Sequence, residues 1–173
     1  MKIGKPKKIK QSILYIVDKT FPSDENFIEE VFTKLIPNLG YNASLIIRSN
    51  SKIIPKIKNW NNVNLFFFLN EKVSKNPLIR IWRMIYNFFS LYKILKKNEY
   101  DILHVRNWVI ALIFSKIFSF IFGFKIVFQL SYDQFELRNE NIKKMQGIKK
   151  QLNFVRNEFW RKISLILMKR VDM

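Results

Sequence analysis

The run Ser12-Ile-Leu-Tyr-Ile-Val-Asp18 has no polar face between its end residues. A strand built from it must be covered on both sides, which is the habit of strands in parallel sheets sandwiched between helices. Four comparable runs follow: Ala43 to Arg48, Val63 to Leu69, Tyr100 to Val105 and Lys125 to Leu130. Between them, apolar residues recur at helical spacing. Phe27, Ile28, Val31, Phe32, Leu35, Ile36 and Leu39 form one apolar face; Ser23 behind Pro22 suits its start and Gly40 its stop. Pro77 opens a long helix to about Lys97, Asn107 to Phe122 forms the next, and Gln151 to about Lys169 the last. The last helix carries Leu152, Val155, Phe159, Ile163 and Ile166 on one face. Ser49 to Asn62 and Ser131 to Lys150 read as polar loops, the second with a weak helix. Strands alternating with helices predict an α/β fold: a doubly wound, mostly parallel, Rossmann-like sheet with right-handed crossovers. The predicted domain is 12–173, preceded by a basic tail, 1–11.

Composition narrows the function. Hydrophobic residues make up 49% of the 173, enough for a core, so global disorder is excluded. Thirty-one Lys and Arg against thirteen Asp and Glu give a net charge of +18. Such a surface seeks anions: phosphate-bearing substrates, anionic lipid or nucleic acid. No cysteine is present, which excludes a disulfide scaffold, a Cys nucleophile and a Cys-ligated zinc site. One histidine excludes multi-His metal sites, so no metal and no cofactor is expected. Trp108 to Phe122 is apolar but shorter than the roughly 20 residues of a span. Lys116 near its middle opposes insertion by about 3 kcal/mol, so a buried helix is the expected form. No P-loop, G-x-G-x-x-G or RNA-recognition signature occurs, and no specific nucleic-acid partner is expected.

Ligands of doubly wound sheets bind beyond the carboxyl ends of the strands. Three loops therefore matter: Lys19 to Asn26, Arg106 to Trp108 and Ser131 to Glu136. Arg106 can fork onto a phosphate or carboxylate, or be a solvated loop charge, and Asn107 lies beside it. Asp24, Glu25 and Asn26, and likewise Asp133 and Glu136, can hydrogen-bond sugar hydroxyls or cap the following helices. His104 sits in an apolar strand, where it is a hydrogen-bonded structural residue or a catalytic group that orients or deprotonates an acceptor hydroxyl. The helix from Pro77 carries Arg80, Arg83, Lys93, Lys96 and Lys97 with Trp82, Tyr86 and Tyr92. That mixture suits docking on an anionic membrane surface, or a helix with one packed face and one solvated face.

The order of these segments resembles the N-terminal half of GT-B glycosyltransferases of the family 4 kind. Phe21-Pro22-Ser-Asp-Glu25-Asn26-Phe27-Ile28 is similar to the stretch that opens the first helix in some members. Tyr100-Asp101-Ile-Leu-His104-Val105 resembles the D-x-x-H-x-H strand, and Gly123 to Phe135 the G-x-P-x-V-x-T-x-H-G-x-D-x-F strand and loop. The resemblance implies the acceptor-binding half of a retaining enzyme. That enzyme would move a sugar from a nucleotide-sugar donor to a polysaccharide or lipid-linked acceptor. It implies work in the cytoplasm, peripheral on the inner face of the cell membrane. It also implies that most donor contacts belong to a second half, in a longer chain or a separate one, and Val171-Asp-Met173 reads as the opening of a further strand. Departures are specific. The family's two loop glycines are replaced by Ser23-Asp24-Glu25-Asn26, its second strand histidine by Arg106, and its histidine after the fifth strand by Leu130 or Ser131. The chain alone is therefore expected to be inactive. The alternative expectation is a non-catalytic basic α/β module that binds anionic membrane or nucleic acid.

Overall fold

The computed structural model describes residues 11–21, 28–49, 59–61, 63–129, 140–144 and 146–168. Six strands form one sheet: β1 Ser12–Phe21, β2 Asn42–Ser49, β3 Asn59–Trp60, β4 Val63–Leu69, β5 Ile102–Arg106 and β6 Lys125–Gln129. Their order is β3-β4-β2-β1-β5-β6, and every pair is parallel except β3–β4. With β3 set aside, the parallel strands have the Rossmann order, with the reversal of winding between β1 and β5. The mostly parallel α/β expectation is met.

Strand β1 explains why its sequence tolerates no polar face. Leu14 and Ile16 point to one side, where they meet Ile46, Phe68, Leu103 and Val105 of the neighbouring strands. Tyr15 and Val17 point to the other, among Leu45, Ile47, Leu65 and Phe67. The first side is covered by α2 Pro77–Lys97 and α3 Val109–Phe122, through Leu91, Leu95, Ala111, Leu112 and Phe118. The second is covered by a π-helical segment, Ile28–Leu35, through Ile28 and Phe32; it runs into the single turn α1 Ile36–Asn38. The last helix is α4 Gly147–Met168. Each fully buried Leu or Ile removed from water contributes about 1.5–3 kcal/mol, so both faces of β1 stabilise the fold.

Local chemistry sets the element ends. The Asn76 side chain accepts from the Leu78 N–H at 2.9 Å and Pro77 fills the first helical position, which fixes the start of α2. Helix α3 begins at Val109 rather than the expected Asn107, because Asn107 holds φ +56 and cannot continue a right-handed helix. It stops at Gly123, whose N–H still reaches the Ser119 carbonyl while its left-handed φ of +73 turns the following chain out of the helix. Two expectations are refined. The loop read over Ser49 to Asn62 contains β3, which forms an antiparallel edge with β4 after a turn at Asn61, φ +48. The first helix is π-hydrogen-bonded over most of its length, a widening that a 3.6-residue apolar period does not reveal.

Helix α3 lies on the sheet, burying Ala111, Leu112, Ser115 and Phe118. Among the described residues, no helix is long and apolar enough to cross a membrane.

Candidate functional site

The carboxyl ends of β1, β2 and β4 carry one ion network. Arg48, at 2% exposure, donates through Nη1 to Asp18 Oδ1 at 2.6 Å and through Nη2 to Glu71 Oε1 at 2.7 Å. Lys72 Nζ reaches Asp18 Oδ2 at 3.0 Å from the solvent side. The guanidinium lies 4.0 Å from the centre of the Trp108 ring, which also packs edge-on against Phe68. Burial pulls the Arg48 pKa below its ordinary value, while Asp18 and then Glu71 oppose this. Two acids and two cations neutralise one another, so the network binds three strand ends together and leaves its cations committed. Asn87 of α2 fastens the same region: its amide accepts from the Leu69 N–H at 2.8 Å and donates to the Leu69 carbonyl at 2.9 Å.

Across the reversal point stand Arg106, Asn107 and Trp108. Arg106 ends β5, half-buried, in register with Val17 on β1 and Gln129 on β6. Adjacent strands keep register partners on one face, so Arg106 shares a face with Val17, and His104 with Tyr15. The Asn107 N–H donates to the Gln129 carbonyl at 3.0 Å, which ties the turn to β6. Asp18, Arg106 and Asn107 thus flank the β1–β5 crevice, the position where sheets of this winding bind ligands.

His104 lies two residues short of that rim. Tyr15 and Phe32 stack face to face, 3.4 Å between centroids, and His104 meets both edge-on at 4.9 and 5.5 Å. Burial lowers its pKa to about 4; the Gln129 amide opposes and the Arg106 charge reinforces the shift. Gln129 approaches the ring, yet the buried Nε2 has no hydrogen bond of ordinary geometry. The imidazole is therefore neutral near pH 7, able to accept a hydrogen bond and weak as a proton acceptor. Asp101, the acid of the same strand motif, sits at the opposite end. Its carboxylate accepts from the Ser12 N–H at 2.7 Å, and its carbonyl accepts from the Lys125 N–H. It clamps the amino ends of β1, β5 and β6.

Asp24, Glu25, Asn26, Asp133 and Glu136 lie outside the described residues. On α2, Arg80 and Arg83 fold back onto the preceding loop, donating to the carbonyls of Ser74 and Asn70. Lys93, Lys96 and Lys97 are exposed at the other end of the helix. Two open hollows of about 450 and 730 Å³ share Asn98, Glu99 and Tyr100 at the amino end of the sheet, away from the crevice. Among the described residues no group of His, Asp and Glu could hold a metal ion. The sequence reading missed Asp18, Arg48 and Glu71 as partners. The available signal was a charged residue at or just past the end of three apolar runs.

No family model matches the chain, and no curated protein matches it. Among solved structures it is similar to TcCGT1 in complex with UDP, with a TM-score of 0.52 and 12% sequence identity over 80% of this chain. The chain spans about a third of that protein's length (33%). At this identity the likeness concerns the fold: the parallel sheet and its crevice belong to a layout that another protein uses in a UDP-binding chain.

Proposed function

We propose that this chain is the acceptor-binding half of a retaining glycosyltransferase that moves a sugar from a nucleotide-sugar donor to a polysaccharide or lipid-linked acceptor at a membrane surface. The observation that carries the reading is the reversal of strand order between β1 and β5, with Asp18, Arg106 and Asn107 at the carboxyl ends of those strands. The likeness to a UDP-bound structure supports it. In this reading Arg106 forks onto a phosphate oxygen of the acceptor or donor, worth roughly twice a neutral hydrogen bond. Asn107 offers its amide to sugar hydroxyls. His104, held neutral by burial, orients an acceptor group by accepting at Nε2 rather than by taking a full proton. Asp24, Glu25, Asn26, Asp133 and Glu136 are the remaining acceptor-side residues of the proposal. The donor's diphosphate is met chiefly by basic groups of a second half.

The test is nucleotide release from a panel of nucleotide sugars by the full reading frame that contains this chain, in the presence of membrane extract. Turnover with one donor, lowered about tenfold or more by Arg106→Ala, is the expected result. No turnover with any donor would remove the enzymatic reading and leave a basic binding module.

A further inference from the structure

Helices α2, α3 and α4 form one layer, with α3 in contact with both others. Two of them also carry an apolar stripe that does not face the sheet. On α2, Leu78, Trp82, Ile85 and Phe89 recur at i, i+4, i+7 and i+11, and each is half exposed or more, while polar Asn87 is buried. On α4, Ile148, Leu152, Val155 and Phe159 repeat the same spacing, also more than half exposed, while polar Asn157 is buried. Phe120 of α3 is 84% exposed. A surface helix in water turns its apolar stripe inward. Here two stripes of equal period point outward, and such a patch marks an interaction surface.

Charge selects the occupant. Residues 77–97 carry five Lys and Arg and no acid, residues 109–122 one Lys and no acid, and residues 147–168 five Lys and Arg against Glu158 alone. A second copy laid on this layer would set cation against cation. A soluble polyanion would answer the charge and leave the two stripes in water. An anionic bilayer answers both, and Trp82 and Tyr86, stacked at 5.7 Å, are the side chains that favour the headgroup boundary. We propose that the α2–α3–α4 layer docks on an anionic lipid bilayer, the two apolar stripes entering the acyl boundary and Lys93, Lys96 and Lys97 meeting the headgroups. The helices lie on the bilayer and do not span it. The α2 stripe occupies the half of the helix that follows β4, so it borders the carboxyl end of the sheet. Resting on the glycosyl-transfer reading, this position delivers a lipid-borne acceptor to the β1–β5 crevice from the membrane side.

The test is co-sedimentation with phosphatidylcholine vesicles, with and without about a third phosphatidylglycerol. Two double variants, Trp82→Ser/Phe89→Ser and Leu152→Ser/Val155→Ser, replace exposed side chains, so circular dichroism should report an intact fold. Leu39→Ser, exposed but outside the layer, is the control. Binding preferentially to the anionic vesicles is expected, with each double variant weakened about tenfold or more and the control unchanged. Equal binding of variants and parent would overturn the proposal. So would equal binding to neutral vesicles, a dimer in light scattering that the α4 variant dissociates, or full displacement by a single-stranded RNA homopolymer. The assay uses no sugar donor, so its failure leaves the glycosyl-transfer reading standing, and loss of turnover with docking intact would remove only the latter.

Discussion

Replacing Arg48 with Met keeps an unbranched stem under Trp108 and deletes a cation that reaches both Asp18 and Glu71. The side chains of all three are at most 11% exposed, so the two carboxylates lose a partner that water cannot replace. Breaking a buried pair by removing one member costs about 3–5 kcal/mol. The lost cation–π contact falls within that range. Against a typical domain stability of about 5–15 kcal/mol, this is about a fifth or more of the whole. Urea unfolding followed by circular dichroism reads it as a lower midpoint at unchanged slope. Arg48→Met/Glu71→Gln should recover about 1–3 kcal/mol, because one stranded charge is gone. Lys72→Met is the comparison: its ammonium is largely exposed, and its loss should cost no more than about 1 kcal/mol. A loss below about 1 kcal/mol for Arg48→Met would refute the argument, since it would mean that solvent already screens the network.

Acid should probe His104. Its folded pKa, about 4, lies below the ordinary value of 6.5, so the neutral form is favoured in the fold. The contribution is full above pH 6.5 and lost as pH falls toward 4; between pH 7 and 5 it amounts to about 2 kcal/mol. His104→Phe should flatten this part of the stability–pH curve, and parallel curves for parent and variant would contradict it. Asn87→Leu should cost about 3 kcal/mol in urea unfolding, because the buried N–H and carbonyl of Leu69 both lose their partner. Gly123→Ala meets open space but must hold φ +73, and should lower stability by about 1 kcal/mol, read as a shift in thermal midpoint.

Much of the fold was legible because apolar patterning and capping agreed. Val63 to Leu69 and Pro77 to Lys97 match the structure residue for residue, one bounded by polar neighbours and the other by Asn76, Pro77 and Asn98. The hairpin strand β3 was hidden in a polar loop; Trp60 beside Asn61 was its only mark. The ion network was illegible for another reason. Asp18, Arg48 and Glu71 are separated by 30 and 23 residues, and only the sheet's strand order brings them together. The apolar face read on the last helix was correct in period. Periodicity shows that a helix has an apolar face and not which way that face turns; on α4, Leu152, Val155 and Phe159 of that face are exposed and Ile163 is half-buried. The strand motif around His104 split for the same reason: Asp101 serves one end of the sheet and Arg106 the other.

The place of β1 in the sheet also has a kinetic consequence. Its partner on one side, β2, begins at Asn42, but its partner on the other, β5, begins at Ile102. During synthesis β1 can pair with β2 once Ser49 is made, β4 adding beyond β2, and its second edge then waits for about 57 more residues, until Arg106 completes β5. At roughly 5–20 residues per second, that edge stays open for about 3 to 11 s. Closing it also closes a long loop, and such non-local parallel pairing is intrinsically slow. Until then the backbone groups along that edge of β1 stay unpaired, and the nascent chain presents an apolar strand to whatever is near the ribosome.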